Sequence, residues 1–171
     1  MSIKHLITHL NKFTKGLDTS INWAKEAENL LDKLEDTQSL NGYEDILDEL
    51  QEKLSLYSPS GGDHLIDELE MKAFIKRVLD SFELKIVTDA KQLINNRLKI
   101  APEFVLYQSI DNQLDYLLEL LQGSNLDRSK LKKINLGRYA AYEFEQSDSQ
   151  LADELMEVQS IVNKMIGGVR S

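Results

Sequence analysis

Apolar residues recur at every third or fourth position along nearly all of a 171-residue chain, and this regularity decides the fold class. Ile3, Leu6, Leu10, Phe13 and Leu17 form one stripe; Trp23, Ala27, Leu30 and Leu34 form a second; Tyr43, Leu47, Leu50, Leu54 and Tyr57 form a third. A longer pattern runs through Leu65, Leu69, Ala73, Ile75, Leu79, Phe82, Ile86, Ala90 and Leu93. Tyr107, Ile110, Leu114, Leu117 and Leu121 follow, and Leu151, Leu155, Val158, Val162 and Met165 close the series. Spacing of this kind places each set on one face of an α-helix, and each face needs a partner to bury it. No apolar/polar alternation is long enough for a strand. The sequence therefore predicts an all-α fold, an antiparallel bundle-like array of about six or seven helices.

The punctuation is sparse, with only two prolines and eight glycines. Gly16 is the expected stop of the first helix, and Asp18, Thr19 or Ser20 the cap of the second, which should end near Asn41 and Gly42. Ser58-Pro59-Ser60-Gly61-Gly62 cannot continue a helix cheaply and is the one candidate boundary. It divides the chain into an acidic helical region, residues 1–60, and a helical domain, residues 61–171, unless the two are continuous. Asp63 is the expected cap of the long helix and Pro102 its stop, since the residue before proline is driven out of the helical region. Periodicity leaves open whether that helix is unbroken or bends near Ser81 or Thr88.

Charge narrows the function. The chain carries a formal net charge of −9, and residues 26–70 hold 14 acidic side chains against Lys33 and Lys53. The outer face of the third helix, with Glu44, Asp45, Asp48, Glu49 and Glu52, is mostly carboxylate, and Glu44–Asp48 and Asp48–Glu52 are like-charge pairs four residues apart. Such a field repels nucleic acid and speeds encounter with a cationic partner, which makes Glu44, Asp48 and Glu52 candidate binding residues. The N-terminus lacks an uninterrupted apolar core of a signal peptide, and no run of about 18 apolar residues occurs, so a cytoplasmic protein with no membrane partner is expected. The absence of cysteine excludes disulfides and thiolate chemistry.

Catalysis requires a constellation that this chain does not assemble. The histidines are His5, His9 and His64. His5 and His9 are four apart, but Leu6 stands where a zinc-protease motif has its glutamate, and both are expected at the surface without a metal. No glutamate is followed by histidine at di-iron spacing, and Gly61-Gly62 lacks the lysine of a phosphate loop. We expect no enzyme, no cofactor and no nucleic-acid partner.

Residues 126–148, LDRSKLKKINLGRYAAYEFEQSD, carry more information than the rest. Ser124 or Asp127 can cap a helix here, Gly137 implies a close backbone approach or a bend, and Ser147-Asp148-Ser149-Gln150 reads as a capping box opening a new helix. Tyr139, Tyr142, Glu143, Glu145 and Asp148 mix aromatic rings with carboxylates around the break. That composition suits an interface hot spot, because tyrosine offers large contact area and carboxylates pair with arginine.

The same segment resembles the small all-helical immunity proteins that protect bacteria from a type VI secretion effector with NAD(P)+ glycohydrolase activity. The resemblance lies in Leu126-Asp127-Arg128-Ser129, Leu131, Leu136-Gly137, Ala140, Glu143-Phe144-Glu145, Asp148 and Leu151. It extends back through Asp89-Ala90, Leu93, Arg97-Leu98, Pro102, Gln113-Leu114 and Tyr116, and covers about residues 83–168. It implies an inert binder that sits on a cognate toxin domain and covers its active site. The N-terminal half departs from those relatives, which are little longer than the matching region. The alternative reading is an acidic helical adaptor, or a mimic of nucleic acid, that uses residues 26–70 against a basic protein.

Overall fold

The structure, a computed structural model, describes residues 3–35 and 42–168. It is all-α, with seven α-helices among the described residues: α1 (Ile3–Thr14), α2 (Ile21–Glu35), α3 (Glu44–Ser55), α4 (Glu68–Ile100), α5 (Val105–Leu121), α6 (Leu136–Tyr139) and α7 (Ser149–Gly168). A 3-10 turn, Leu131–Lys133, precedes α6, and a π turn, Ala140–Phe144, continues it. The expected end of the second helix near Asn41 lies outside the described residues. The chain divides into two compact units, Met1–Phe82 and Glu83–Ser171, each with its own hydrophobic core.

In the first unit α1 and α2 form a hairpin pinned by a reciprocal pair of hydrogen bonds. The Trp23 indole N–H donates to the His9 carbonyl (3.2 Å), and the His9 Nε2 lies 2.9 Å from the Trp23 carbonyl. Their rings stack at 5.4 Å, so His9 is buried rather than at the surface as the sequence suggested. Phe13 and Tyr57 complete the aromatic cluster against Trp23, and the Tyr57 hydroxyl donates to the Thr19 carbonyl (2.6 Å). Gly16 ends α1 at φ 67°, with Leu17 N–H reaching Lys12 O and Gly16 N–H reaching Phe13 O, the two bonds of a Schellman turn. This turn carries Leu17 away from the α1 face, and it is exposed instead of joining the stripe.

Ser58–Gly62 makes a tight turn within this unit, held by a parallel bridge between Tyr57 and Ile66. The long helix consequently begins at Glu68, with Asp67 rather than Asp63 as its cap. Glu70 N–H donates to the Asp67 carboxylate (2.8 Å) while Asp67 N–H approaches the Glu70 carboxylate (3.3 Å), a reciprocal capping box. Starting there, α4 buries Met71, Phe74, Ile75, Val78, Leu79 and Phe82 and leaves Leu65, Leu69 and Ala73 outside the core. It continues without a break to Ile100, but its buried positions resume at Val87, Ala90 and Ile94. The step of five from Phe82 to Val87 is where one stripe gives way to another.

The second unit packs the C-terminal part of α4, α5, the 131–144 segment and α7 around Val87, Ile94, Ile110, Leu114, Leu117, Leu136, Leu155 and Val158. Lys91 on α4 reaches Asp111 and Asp115 on α5, each at 2.6 Å. Burial opposes its charge, yet the two carboxylates more than compensate and raise its pKa.

Candidate functional site

The surface that the sequence singled out is built on a strip of irregular chain laid antiparallel along α5. The Tyr116 hydroxyl donates to the Asp127 carbonyl (2.7 Å). One helical step back, the Gln113 Nε2 donates to Asn135 Oδ1 (2.9 Å), and the Gln113 Oε1 accepts the Asn135 N–H (3.0 Å). Ser109 and Tyr139 share a hydroxyl–hydroxyl bond (3.2 Å), and the Tyr107 ring stacks on Phe144 at 5.8 Å. Residues 116, 113, 109 and 107 thus meet 127, 135, 139 and 144 in reverse order. Every contact fixes the strip to a rigid helix, so its outward side chains are presented from a firm base.

Gly137 is the closest approach on the other side. Its N–H donates to Gln159 Oε1 on α7 (3.0 Å), and a Cβ at this position would stand 2.9 Å from Gln159 Cγ. The sequence offered close backbone approach or a bend; the structure shows the close approach, and the helix passes into π geometry at Ala140 three residues later. An extra residue in a turn rotates the side chains that follow, which buries Ala140 and Phe144 while Tyr142 is 80% exposed.

Asp148 closes the strip. Its carboxylate takes Arg97 Nε (2.6 Å) and Nη2 (3.1 Å) side by side, and Oδ1 also accepts the Leu151 N–H (3.2 Å) at the start of α7. Asp148 is therefore the cap of α7. The capping box expected from Ser147 and Gln150 does not form, since the Ser147 hydroxyl instead donates back to the Glu143 carbonyl (2.9 Å). The Arg97 guanidinium is the main reason the Asp148 carboxyl titrates below the usual range, with the Leu151 N–H adding to it against the effect of burial.

The five nominated residues of this region thus fall into two groups. Tyr142, Glu143 and Glu145 face solvent, whereas Tyr139 is half-buried against α5 and Asp148 is engaged with Arg97. On the first unit, Glu44, Asp48 and Glu52 are all exposed along α3, and Glu44 additionally accepts the Gly42 N–H (2.6 Å). Glu49 on the same helix is half-buried and paired with Arg77.

Sequence reasoning passed over the exposed apolar residues of the second unit. Leu126 is 86% exposed at the start of the strip, and Ile100, Phe104 and Val105 are exposed around the α4–α5 turn. Phe104 packs edge-on against Tyr107 (4.7 Å), so an aromatic chain Phe104–Tyr107–Phe144 links that turn to the π turn bearing Tyr142 and Glu143. The available signal was that Leu126 and Phe104 are large apolar residues outside every helical stripe.

Among the described residues, no three metal-capable side chains converge and no helix is long and apolar enough to cross a membrane.

Comparison with known proteins assigns a family to this second unit. The Tsi6 family matches residues 83–164, which begins at the first residue of the unit. The immune protein Tsi6 of Pseudomonas aeruginosa is 31% identical over 74 residues, spanning 43% of this chain and 79% of that protein. No solved structure matches the chain. With the Arg97–Asp148 pair, the Gly137 approach and the buried Leu131, Leu136, Ala140, Phe144 and Leu151 all among the residues that carried the resemblance, the chain belongs to the Tsi6 family of type VI secretion immunity proteins.

Proposed function

We propose that this chain neutralises a secreted antibacterial toxin by binding its catalytic domain and covering the substrate cleft, and that the toxin is an NAD(P)+ glycohydrolase. It acts as a stoichiometric binder in the cytoplasm of the cell that makes the toxin, without catalysis of its own. The observation that carries this reading is the family match over residues 83–164, which coincides with one compact unit.

Within that unit the contact surface we assign is Tyr142, Glu143 and Glu145, extended by Leu126 and by the exposed turn at Ile100 and Phe104. Large apolar groups flanked by carboxylates complement a cleft rimmed by arginine or lysine, as a site for an anionic dinucleotide would be. Tyr139 and Asp148 support this surface from beneath through Ser109 and Arg97.

The test is co-expression with the toxin domain encoded beside this gene, scoring host survival and cellular NAD+ together. Survival with NAD+ preserved, against death with NAD+ depleted when this protein is withheld, is the expected result. Rescue from a toxin that leaves NAD+ untouched would keep immunity and discard the glycohydrolase. Failure to rescue from a demonstrably toxic neighbour would discard immunity for this pair.

The acidic-adaptor reading draws on one observation, the exposure of Glu44, Asp48 and Glu52 together on α3. It requires that neutralising these three abolish binding while Tyr142→Ala leaves it intact. The immunity reading requires the reverse.

A further inference from the structure

Local turns in the first unit leave a set of aliphatic side chains facing solvent that its core does not take up. Among the described residues of this unit the exposed large apolar side chains are Leu17, Ile21, Leu65 and Leu69, and Leu17 and Leu69 are 73% and 77% exposed. They occupy two short segments that Tyr57 holds side by side. Its hydroxyl donates to the Thr19 carbonyl (2.6 Å), and its backbone pairs with Ile66 in the parallel bridge. Leu17 and Ile21 flank Thr19, while Leu65 and Leu69 flank Ile66, so all four gather at one end of the unit. The other end, where Tyr43 packs edge-on against Phe82 (5.2 Å), lies about 20 Å away along α4. Apolar residues scattered singly over a surface need no explanation, whereas a gathered set marks a binding surface.

Charge selects the occupant. Asp18 stands between Leu17 and Ile21 in the chain, and Asp63, Asp67, Glu68 and Glu70 surround Leu65 and Leu69. Residues 15–22 and 63–72 thus hold these five carboxylates against two lysines, Lys15 and Lys72. Asp63, Glu68 and Glu70 are exposed, and Asp18 and Asp67 half-buried. Burial is the main reason the Tyr57 hydroxyl titrates above its ordinary range, and the negative fields of Glu68, Asp18 and Asp67 add to it, so carboxylates of both segments converge on one ring. Two copies meeting through this same face would set carboxylate against carboxylate, and an anionic phosphate surface would be repelled likewise. A cationic partner with an apolar stripe is complementary in both respects.

We infer that this end of the first unit docks a basic amphipathic helix of a partner protein. Leucine-like side chains repeating every three or four residues of that helix rest on Leu17, Ile21, Leu65 and Leu69, and its lysines or arginines face Asp18, Asp67, Glu68 and Glu70. Tyr57 fixes the two segments to each other and to the aromatic cluster of Phe13 and Trp23, so the surface is presented preformed. It lies wholly within the first unit, outside the family match, and stands or falls separately from toxin binding.

The probe is a fluorescein-labelled peptide of about 18 residues, made of leucine and lysine patterned as an amphipathic helix. It is titrated with the full chain at about 0.15 M salt and read by fluorescence anisotropy. Saturable binding to one site per chain is the expected result, at least tenfold weaker in the Leu17→Asn, Leu69→Asn double variant, weaker in Glu68→Lys, and unchanged in Leu126→Asn, which alters an exposed leucine of the second unit. A peptide of the same composition scrambled to remove the apolar stripe, and one with glutamate in place of lysine, should each bind at least tenfold more weakly. All the substituted side chains are exposed, and an unaltered urea midpoint for each variant shows that a lost signal is lost docking. No saturable binding up to about 1 mM chain would overturn the inference. So would binding indifferent to the paired leucine substitution, equal binding of the scrambled peptide, or sedimentation equilibrium showing that Leu17 and Leu69 hold two copies of this chain together.

Discussion

Replacing Asp148 tests whether its carboxylate holds the second unit together. The Arg97 and Asp148 side chains are 28% and 15% exposed, so their pair lies between two limits. Exposed pairs contribute about 0–1 kcal/mol, and breaking a buried pair costs about 3–5 kcal/mol. Asp148→Ala also removes the α7 cap, a further loss of about 1 kcal/mol. The expected total is about 2–4 kcal/mol, measured by urea denaturation of the full chain with far-ultraviolet circular dichroism. Asp148→Asn keeps the cap, since asparagine serves as well as aspartate, and should cost about 1–2 kcal/mol. The sign with pH follows from the lowered carboxyl pKa. A depressed folded-state value means that the stabilisation is fully present above the unfolded-state pKa near about 4 and is lost as pH falls through the folded-state value. The gap between wild type and Asp148→Asn should therefore be constant from neutral pH down to about 5 and close below about 4. A cost under about 0.5 kcal/mol for Asp148→Ala, or a gap that persists in acid, would refute the reasoning.

Three further changes separate packing from recognition. Gly137→Ala gains up to about 1 kcal/mol of helix propensity but collides with Gln159 and disturbs its hydrogen bond, so a net loss of about 1–2 kcal/mol is expected, reversing to a gain in a Gln159→Ala background. A double-mutant cycle with no coupling would show that the approach at Gly137 is not what sets the cost. Tyr142→Ala should leave the urea midpoint unchanged and weaken toxin binding at least tenfold, about 1.4 kcal/mol, measured by calorimetric titration. His9→Ala should cost about 2–4 kcal/mol through the lost stacked ring, the cavity it leaves and the lost hydrogen bond to the Trp23 carbonyl, read as an earlier Trp23 fluorescence transition.

Much of the fold was legible because most stripes obeyed a single rule. Leu6, Leu10 and Phe13, then Trp23, Ala27 and Leu34, then Leu47, Leu50 and Leu54 are buried as their spacing required. The rule failed where a local turn set the register first. Gly16 turned Leu17 outward, and the turn at 58–62 delayed α4 to Glu68, which moved the core from Leu65 and Leu69 to Met71 and Phe74. His9 was misplaced for another reason: its burial depends on the Trp23 carbonyl 14 residues away, and periodicity carries no information on such a pairing. Of the candidate surface, composition nominated Tyr142, Glu143 and Glu145, which are exposed, but could not tell that Asp148 faces Arg97, because 51 residues separate the partners.

The position of the unit boundary bears directly on function. Phe82 and Glu83 meet inside a helix that no proline or glycine interrupts, so breakers mark where helices end while cores mark where units end. On α4 the change of core is written in register, as a step of five between Phe82 and Val87 where a single stripe would step by three or four. The family match begins at this same place. It follows that the candidate residues sort cleanly: Tyr142, Glu143, Glu145, Leu126 and Phe104 on the unit with immunity kinship, and Glu44, Asp48 and Glu52 on the other. A toxin contact confined to the second unit leaves the exposed carboxylates of α3 to serve a different ligand. Binding data from charge variants of the first unit and aromatic variants of the second should therefore combine additively, as independent sites do.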